Sequence, residues 1–354
     1  MPRNHRVAFI GTGRRWQDGR PTGFGMAYGH ARGYQATGRC DLVAAADIKR
    51  RNAEVFAAEF GVEHTYLDYK EMLRREQPDI VSICTWPHLH PEMVLAAANA
   101  KVKAIHCEKP IAPTWGEALR MVAACQRQRV QLTFDHQRRF LEPFQRAKAL
   151  AHDGTIGELV RLEAACPNMM DWGTHWLDMM FFYNNENPVR WVLGQIDASY
   201  CHEVFALPHE HQAICEFKFE NGVRALMFTG YDNDIGCANR LVGTQGTVEV
   251  HEQQPHVRFR GKGIGGWRTI ETKENLHGGE AITRGIIDLL DALEKRREPE
   301  LSARRALQAT EVIFATYESS RRRARIDLPL KAKDSALLSM LASGDLKPKP
   351  RRRR

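Results

Sequence analysis

The sequence predicts an α/β domain built on a parallel sheet, followed by an α+β domain with a large, mostly antiparallel sheet. Three observations carry this reading. Over residues 1–137 short continuous apolar runs alternate with helical patterns, as in a parallel sheet covered on both faces. A glycine pair, Gly11 and Gly13, directly follows the first of those runs. After about residue 150 the apolar runs become partly alternating, the texture of antiparallel strands with one solvated face. A chain of 354 residues suits two domains of ordinary size.

In order along the first part, strands are expected at 6–11, 41–47, 79–86, 103–109 and 131–137. Between them, the helical stretch 49–61 ends at Gly61, a natural C-cap, and Pro91 opens a second helix. A third helix, 114–127, begins at Thr114 with Glu117 three residues on, a capping-box pattern. In the second part GELVRLEAA, VRWVLGQID, QAICEFKFE, GVRALMFTG, NRLVGTQGTVEV and HVRFRG read as strands, with Asn221-Gly222 as a hairpin turn between two of them. Helical patterns return at 280–296 and 303–320. The expected division is 1–137, 138–330 and a C-terminal extension, 331–354, with a basic tail.

The 51 Lys and Arg against 43 Asp and Glu give a net charge of +8. Six of the basic groups lie in the last eight residues, KPKPRRRR, which read as a solvated tail and leave only +2 for the rest. With no helix-turn-helix or zinc-finger pattern, nothing orients that charge on nucleic acid. No apolar run reaches the ~18–20 residues of a membrane span, and the N-terminal apolar stretch is too short for a signal peptide. A cytoplasmic protein without nucleic-acid or membrane partners is expected. The eight cysteines form no C-x-x-C pair and read as reduced, mostly buried thiols. Cys201, His202, His209 and His211 fit no standard zinc framework, so no metal is expected and this stretch reads as a loop with exposed histidines. His209 and His211 stand as candidates to meet substrate or a neighbouring subunit.

Gly11-Thr12-Gly13 after an apolar strand lets the backbone turn tightly and approach a pyrophosphate at a helix N-terminus. Asp47 closes the second strand, where a carboxylate can accept both hydrogen bonds of an adenosine ribose. This is a Rossmann pattern with NAD as the expected cofactor, and Lys49 and Arg50 leave NADP open. Asp47 lies 36 residues beyond Gly11 because residues 14–25 enlarge the phosphate loop, with Gly25 or Ala27 taking over the close helix–strand contact.

Glu108-Lys109-Pro110 ends a strand whose carboxyl end faces the ligand crevice of such a sheet. A lysine there can hold or polarise a substrate oxygen, and Pro110 restricts Lys109 to extended backbone. Asp171 and His175, four apart, share a helix face, and a histidine is a suitable base for an alcohol proton near neutral pH. Asp178 reads as structural. Trp172 and Trp176 suit a sugar face or a core, and His136, Arg138 and Arg139 read as reaching the cleft, where an arginine suits an anionic sugar, or as an interdomain salt bridge.

Taken together, VAFIGTG, CTWPHLH (84–90), HCEKPIA (106–112), the run 135–159 and DWGTHWLD (171–178) resemble the glucose–fructose oxidoreductase/inositol dehydrogenase (Gfo/Idh/MocA) family over roughly residues 5–330. The resemblance implies a Rossmann domain followed by an α+β domain with an open-faced antiparallel sheet, and oxidation or reduction of one carbinol of a sugar or cyclitol with NAD(P). It places the catalytic roles on Lys109, Asp171 and His175. Gly11, Thr12, Gly13, Asp47, Thr85, Trp86, His90, Glu108 and Lys109 are the candidate cofactor-binding residues, and Arg138, Trp172, His209 and His211 the candidate substrate contacts. Trp86 stands between Thr85 and Pro87, where the family commonly has Thr-Pro, so an indole is expected near the nicotinamide or substrate, or in simple packing. Two further readings stand beside the dehydrogenase: an NAD-dependent glycoside hydrolase working by transient oxidation and elimination, and a non-catalytic cofactor-binding regulator. A sheet with one face uncovered leaves apolar surface to bury, so a homodimer or homotetramer is expected.

Overall fold

The computed structural model describes residues 4–14, 25–251, 256–274, 276 and 279–349. They form two compact units: Met1–Pro113, Glu117–Gln137 and Gly279–Ala306 in the first, and Thr114–Gly116, Arg138–Gly278 and Leu307–Arg354 in the second. The enlarged phosphate loop, except for Arg14 and Gly25, and the last five residues of the basic tail lie outside the described residues.

In the first unit the apolar runs become β1 (His5–Ile10), β2 (Cys40–Ala46), β3 (His64–Tyr66), β4 (Ile80–Ile83), β5 (Ala104–Cys107) and β6 (Gln131–Phe134). All pair in parallel, in the order β3-β2-β1-β4-β5-β6. The connecting helices are α1 (Met26–Thr37), α2 (Arg50–Phe60), α3 (Tyr69–Glu76), α4 (His90–Asn99) and α5 (Trp115–Gln128). Gly61 ends α2 in left-handed backbone, φ 68°, and closes on the Ala57 carbonyl. The short β3 and α3 are not legible as separate elements in the sequence.

The second unit opens with α6 (Glu142–His152), β7 (Leu159–Cys166) and α7 (Thr174–Tyr183). Then come β8 (Val189–Asp197), the short pair β9 (His202–Val204) and β10 (Leu207–His209), β11 (Gln212–Phe219), β12 (Arg224–Thr229), β13 (Asn239–Gly243), β14 (Thr247–Val250), β15 (His256–Arg260) and β16 (Arg268–Glu271). Among the described residues nine strands share one sheet in the order β16-β15-β14-β13-β7-β12-β11-β8-β17, where β17 is Ile326–Asp327. The β7–β12 pair is parallel and the others antiparallel. Asn221-Gly222 makes the β11–β12 turn, with Gly222 at φ 94°.

Two C-terminal segments depart from the expected division. Helix α8 (Gly279–Lys295) packs on the first unit against α1, with Ile282, Ile286, Leu289 and Leu290 in one core with Phe9, Tyr34 and Phe56. Gly33 permits this approach, since a Cβ there would lie 2.5 Å from Ile286 Cδ1. After α9 (Ala303–Arg322), the expected extension is folded into the second unit. It forms α10 (Ala336–Ser343), capped by Ser335, with Leu337 and Met340 buried. Even Lys349, in the expected tail, donates its N–H to the Ser199 carbonyl at 2.8 Å. Among the described residues no helix is long and apolar enough to cross a membrane, and the eight cysteines are free thiols.

Candidate active site

Parallel strands deliver the residues that follow them to one edge of the sheet. Gly11 follows β1, Asp47 follows β2, Thr85 and Trp86 come two and three residues after β4, and Glu108 and Lys109 follow β5. The strand order reverses direction between β1 and β4, where ligands of such sheets bind. Gly11, at φ 82°, sits at that point: a Cβ on it would lie 2.4 Å from Thr85 Cγ2 and 3.0 Å from the Cys84 carbonyl oxygen. Only glycine lets the two loops approach so closely.

Gly13, at φ 63°, has nothing nearer to its ideal Cβ position than the Gly25 Cα at 4.0 Å. The loop is therefore open on that side among the described residues, as a pyrophosphate cradle requires, and the two ends of the inserted segment meet there. Asp47 Oδ2 accepts the Gly13 N–H at 2.9 Å and the Thr12 hydroxyl at 3.2 Å. Its Oδ1 accepts the Lys49 N–H at 2.8 Å and the Asn52 amide at 3.2 Å. The carboxylate expected to meet a ribose thus also ties the glycine loop to the start of α2. Lys49 and Arg50 are exposed, as is Ile48, at 88 %.

On β4's side, Thr85 donates to Met93 Sδ at 3.2 Å, and its carbonyl faces His90 Nε2 at 3.0 Å. His90 is fully buried and its Nδ1 faces the Pro110 and Ile111 carbonyls at 3.1 and 3.2 Å. It joins the Thr85 loop to the Lys109-Pro110 loop. Burial pushes its pKa down to about 4, so at neutral pH the ring carries one proton and donates to only one of the two loops. Trp86 is half-buried with its ring 6.0 Å from that of His88.

Glu108 turns inward. Its Oε2 accepts the Lys109 N–H at 3.2 Å and its Oε1 lies 3.1 Å from His30 Nε2. Around His30 stand Ser82, Cys84, His106 and Asp135, most of them buried beneath the Lys109 loop. Burial pushes the Glu108 carboxyl up; Asp135 is held below its ordinary range because His30 outweighs burial. None of the sequence patterns pointed to this cluster.

In the second unit, Asn168 organises the Asp171–His175 segment. Its side chain accepts the N–H groups of Asp171 at 2.8 Å and Trp172 at 3.2 Å, capping a π-helical turn, Met169–Gly173, that leads into α7. The Gly173 N–H closes back on the Asn168 carbonyl at 2.8 Å. A Cβ on Gly173 would already stand 3.0 Å from that oxygen. Single π turns recur at functional sites. Asp171 and His175 are both buried, at 7 % and 5 % exposure. Glu210 anchors the same turn, accepting the Met169 N–H at 2.7 Å, the Thr229 hydroxyl at 3.1 Å and the Tyr317 hydroxyl at 2.8 Å. Asn168 was detectable as a helix N-cap residue; Glu210, distant in sequence, carries no local signal.

Arg138 lies over the faces of Trp172 and Trp176, 5.0 and 4.0 Å from the ring centroids, and Trp176 is a core residue. Arg139, read as reaching the cleft or as part of a hinge or interdomain salt bridge, is paired inside the second unit. It binds Asp178 with two bonds of 2.7 and 2.8 Å and also meets Glu186, all within the second unit. That pairing gives Asp178 its structural role, and the two carboxylates raise the guanidinium pKa against burial.

The expected loop of exposed histidines is instead a hairpin. Phe205 and Ala206, at φ 53° and 57°, make a tight turn between β9 and β10 without the glycine or asparagine that signals one. His209 is buried at 1 % exposure, with Nδ1 2.9 Å from the Leu207 carbonyl, so it is not one of the exposed histidines expected there. His211 is half-buried beside Tyr200, with ring centroids 5.5 Å apart. The His202 side chain lies outside the described residues.

Two family models match the chain. "Oxidoreductase family, NAD-binding Rossmann fold" covers residues 5–136, and "Oxidoreductase family, C-terminal alpha/beta domain" covers residues 160–328, both of the Gfo/Idh/MocA group. A D-apiose dehydrogenase of Paraburkholderia graminis is 25 % identical over 348 residues, 89 % of this chain and 90 % of that one. A myo-inositol 2-dehydrogenase of Thermotoga maritima is 28 % identical over 174 residues, 47 % of this chain and 51 % of that one. Among solved structures, a levoglucosan dehydrogenase in complex with NADH and levoglucosan superposes with a TM-score of 0.78 at 20 % identity, over 93 % of this chain and 100 % of that one. This last likeness is one of fold.

Proposed function

Because the chain belongs to the Gfo/Idh/MocA family of NAD-binding oxidoreductases, we propose that it oxidises or reduces one carbinol of a sugar, sugar derivative or cyclitol. The nicotinamide, when bound, supplies the hydride chemistry. The observation that carries the reading is the joint presence of a glycine loop tied to Asp47 and of buried Asp171 and His175, the first on a turn capped by Asn168 and the second at the start of the helix that follows. The names of its sugar and cyclitol dehydrogenase relatives support the same substrate class.

The roles follow from residue chemistry. Gly11, Thr12 and Gly13 hold the pyrophosphate, and Asp47 accepts from the adenosine ribose while keeping the loop in place. The exposed Ile48 gives the adenine an apolar surface. Lys109 hydrogen-bonds the reacting oxygen, which stabilises the alkoxide that develops as its proton leaves. His175 receives that proton, and Asp171 orients the ring and supports the imidazolium. Arg138, placed against the Trp172 and Trp176 rings, is a substrate-side cation.

The outer face of the nine-stranded sheet exposes Leu193 and Ile214, at 47 % and 48 %. We propose that this face pairs with a second copy of the chain. Replacing both by glutamate should turn an oligomer into a monomer in light scattering; a wild-type monomer would exclude the pairing.

The functional test is a screen of sugars, glycosides and cyclitols with NAD and NADP, followed at 340 nm and by product analysis. The proposal expects net NADH or NADPH from at least one free polyol. An aglycone released with no net reduced cofactor would point instead to the hydrolase chemistry.

A further inference from the structure

The side chains beneath the Lys109 loop carry more ligand chemistry than a hydrogen-bond network uses. His30 of α1, His106 of β5 and Asp135 after β6 each offer an atom, and these atoms lie within 4.8 Å of one another. All three residues are buried, at 0 %, 1 % and 1 % exposure. His30 Nε2 is 3.4 Å from Asp135 Oδ2, His106 Nε2 is 3.8 Å from Asp135 Oδ1, and Glu108 Oε1 is 3.1 Å from His30 Nε2. Around a four-coordinate ion with bonds of about 2.0–2.2 Å, ligand atoms stand roughly 3.3–3.6 Å apart.

The hydrogen bonds on the far sides of the two rings are informative. The Thr133 hydroxyl lies 2.9 Å from His106 Nδ1 and 3.2 Å from the Ile105 carbonyl oxygen. Neither His106 Nε2 nor either Asp135 oxygen has a well-aligned hydrogen bond among the described residues. His30 Nδ1 lies 2.7 Å from the Ser82 hydroxyl, on the side of the ring away from the carboxylates. Imidazoles whose outer nitrogens are fixed by second partners, with inner nitrogens converging on carboxylates, are the usual surroundings of a divalent transition metal.

We propose that His30, His106 and Asp135, with Glu108 as the fourth group, bind one divalent transition-metal ion of the zinc class in the core of the nucleotide-binding unit. The ion supplies a partner to His106 Nε2 and to the Asp135 oxygens. It is a structural pin that joins α1, β5 and the end of β6 directly below Lys109. The assignment is independent of the substrate reading.

The test uses untagged full-length protein produced in zinc-supplemented medium, gel-filtered, and analysed for metals by mass spectrometry. One zinc per chain is expected, falling at least tenfold in His106→Gln and in Asp135→Asn. Protein grown with cobalt should show the visible absorption bands of a cobalt ion with nitrogen and oxygen ligands, also lost in His106→Gln. Wild-type protein that binds NAD yet holds substoichiometric metal and shows no cobalt bands overturns the proposal. If the variants do not fold, the wild-type stoichiometry and cobalt spectrum still decide it.

Discussion

The Asp47 carboxylate accepts the backbone N–H of Gly13 at 2.9 Å. One side chain therefore both shapes the phosphate loop and stands where a ribose is recognised. Asp47→Ala should weaken NAD binding roughly 10- to 100-fold, the equivalent of about 1.5–3 kcal/mol for a charge-assisted bond. Calorimetric titration with NAD checks this. Asp47→Asn, which keeps one acceptor for Gly13, should lose less.

Gly11→Ala places a methyl group 2.4 Å from Thr85 Cγ2, in backbone at φ 82°. The strained conformation costs about 1–3 kcal/mol, and shifting the Thr85 loop should impair cofactor binding further. Gly33→Ala has no backbone strain of that kind; its methyl meets the end of the Ile286 side chain at 2.5 Å and the Thr283 Cα at an ordinary 3.5 Å, and it should cost less. Urea unfolding of the two variants separates them.

These contrasts also mark what the sequence could say. The parallel sheet was legible because five of its strands are continuous apolar runs broken by helices, and the glycine pair marks where the first run ends. The packing of α8 on α1 was not, because it depends on small residues at 29 and 33 meeting isoleucines some 250 residues later. Lys109, Asp171 and His175 stood out by residue type and order. Asn168 and Glu210, which hold the turn that carries Asp171 and leads into the helix of His175, are a cap and a remote carboxylate. The His30 cluster was invisible for the same reason: a helix residue, a strand residue and two strand ends, each ordinary alone, meet only after folding.

Asp178→Ala leaves the Arg139 guanidinium buried with half its pairing gone. Removing one partner of such a pair costs about 3–5 kcal/mol. Denaturant unfolding should report that loss. Asp178→Asn should cost less because it keeps one acceptor for the arginine.

His90 gives a pH signature. Its folded pKa is pushed down to about 4 by burial, against roughly 6.5 in an unfolded chain. A depressed histidine favours the folded state above the unfolded value, so its contribution is complete above pH 6.5 and is lost as pH falls toward 4. The full loss is about 3 kcal/mol. His90→Gln should flatten the stability curve between these pH values, measured by urea unfolding at a series of pH values.

The account rests most heavily on Lys109 as the group that holds the reacting oxygen. The direct measurement is the rate of NADH formation by wild type and by Lys109→Ala on the best polyol from the screen, with NAD affinity measured alongside. The account predicts a fall in kcat of at least about 100-fold, the scale of removing one such electrostatic contact, with NAD affinity within a few-fold of wild type. A variant that turns over like wild type would contradict it.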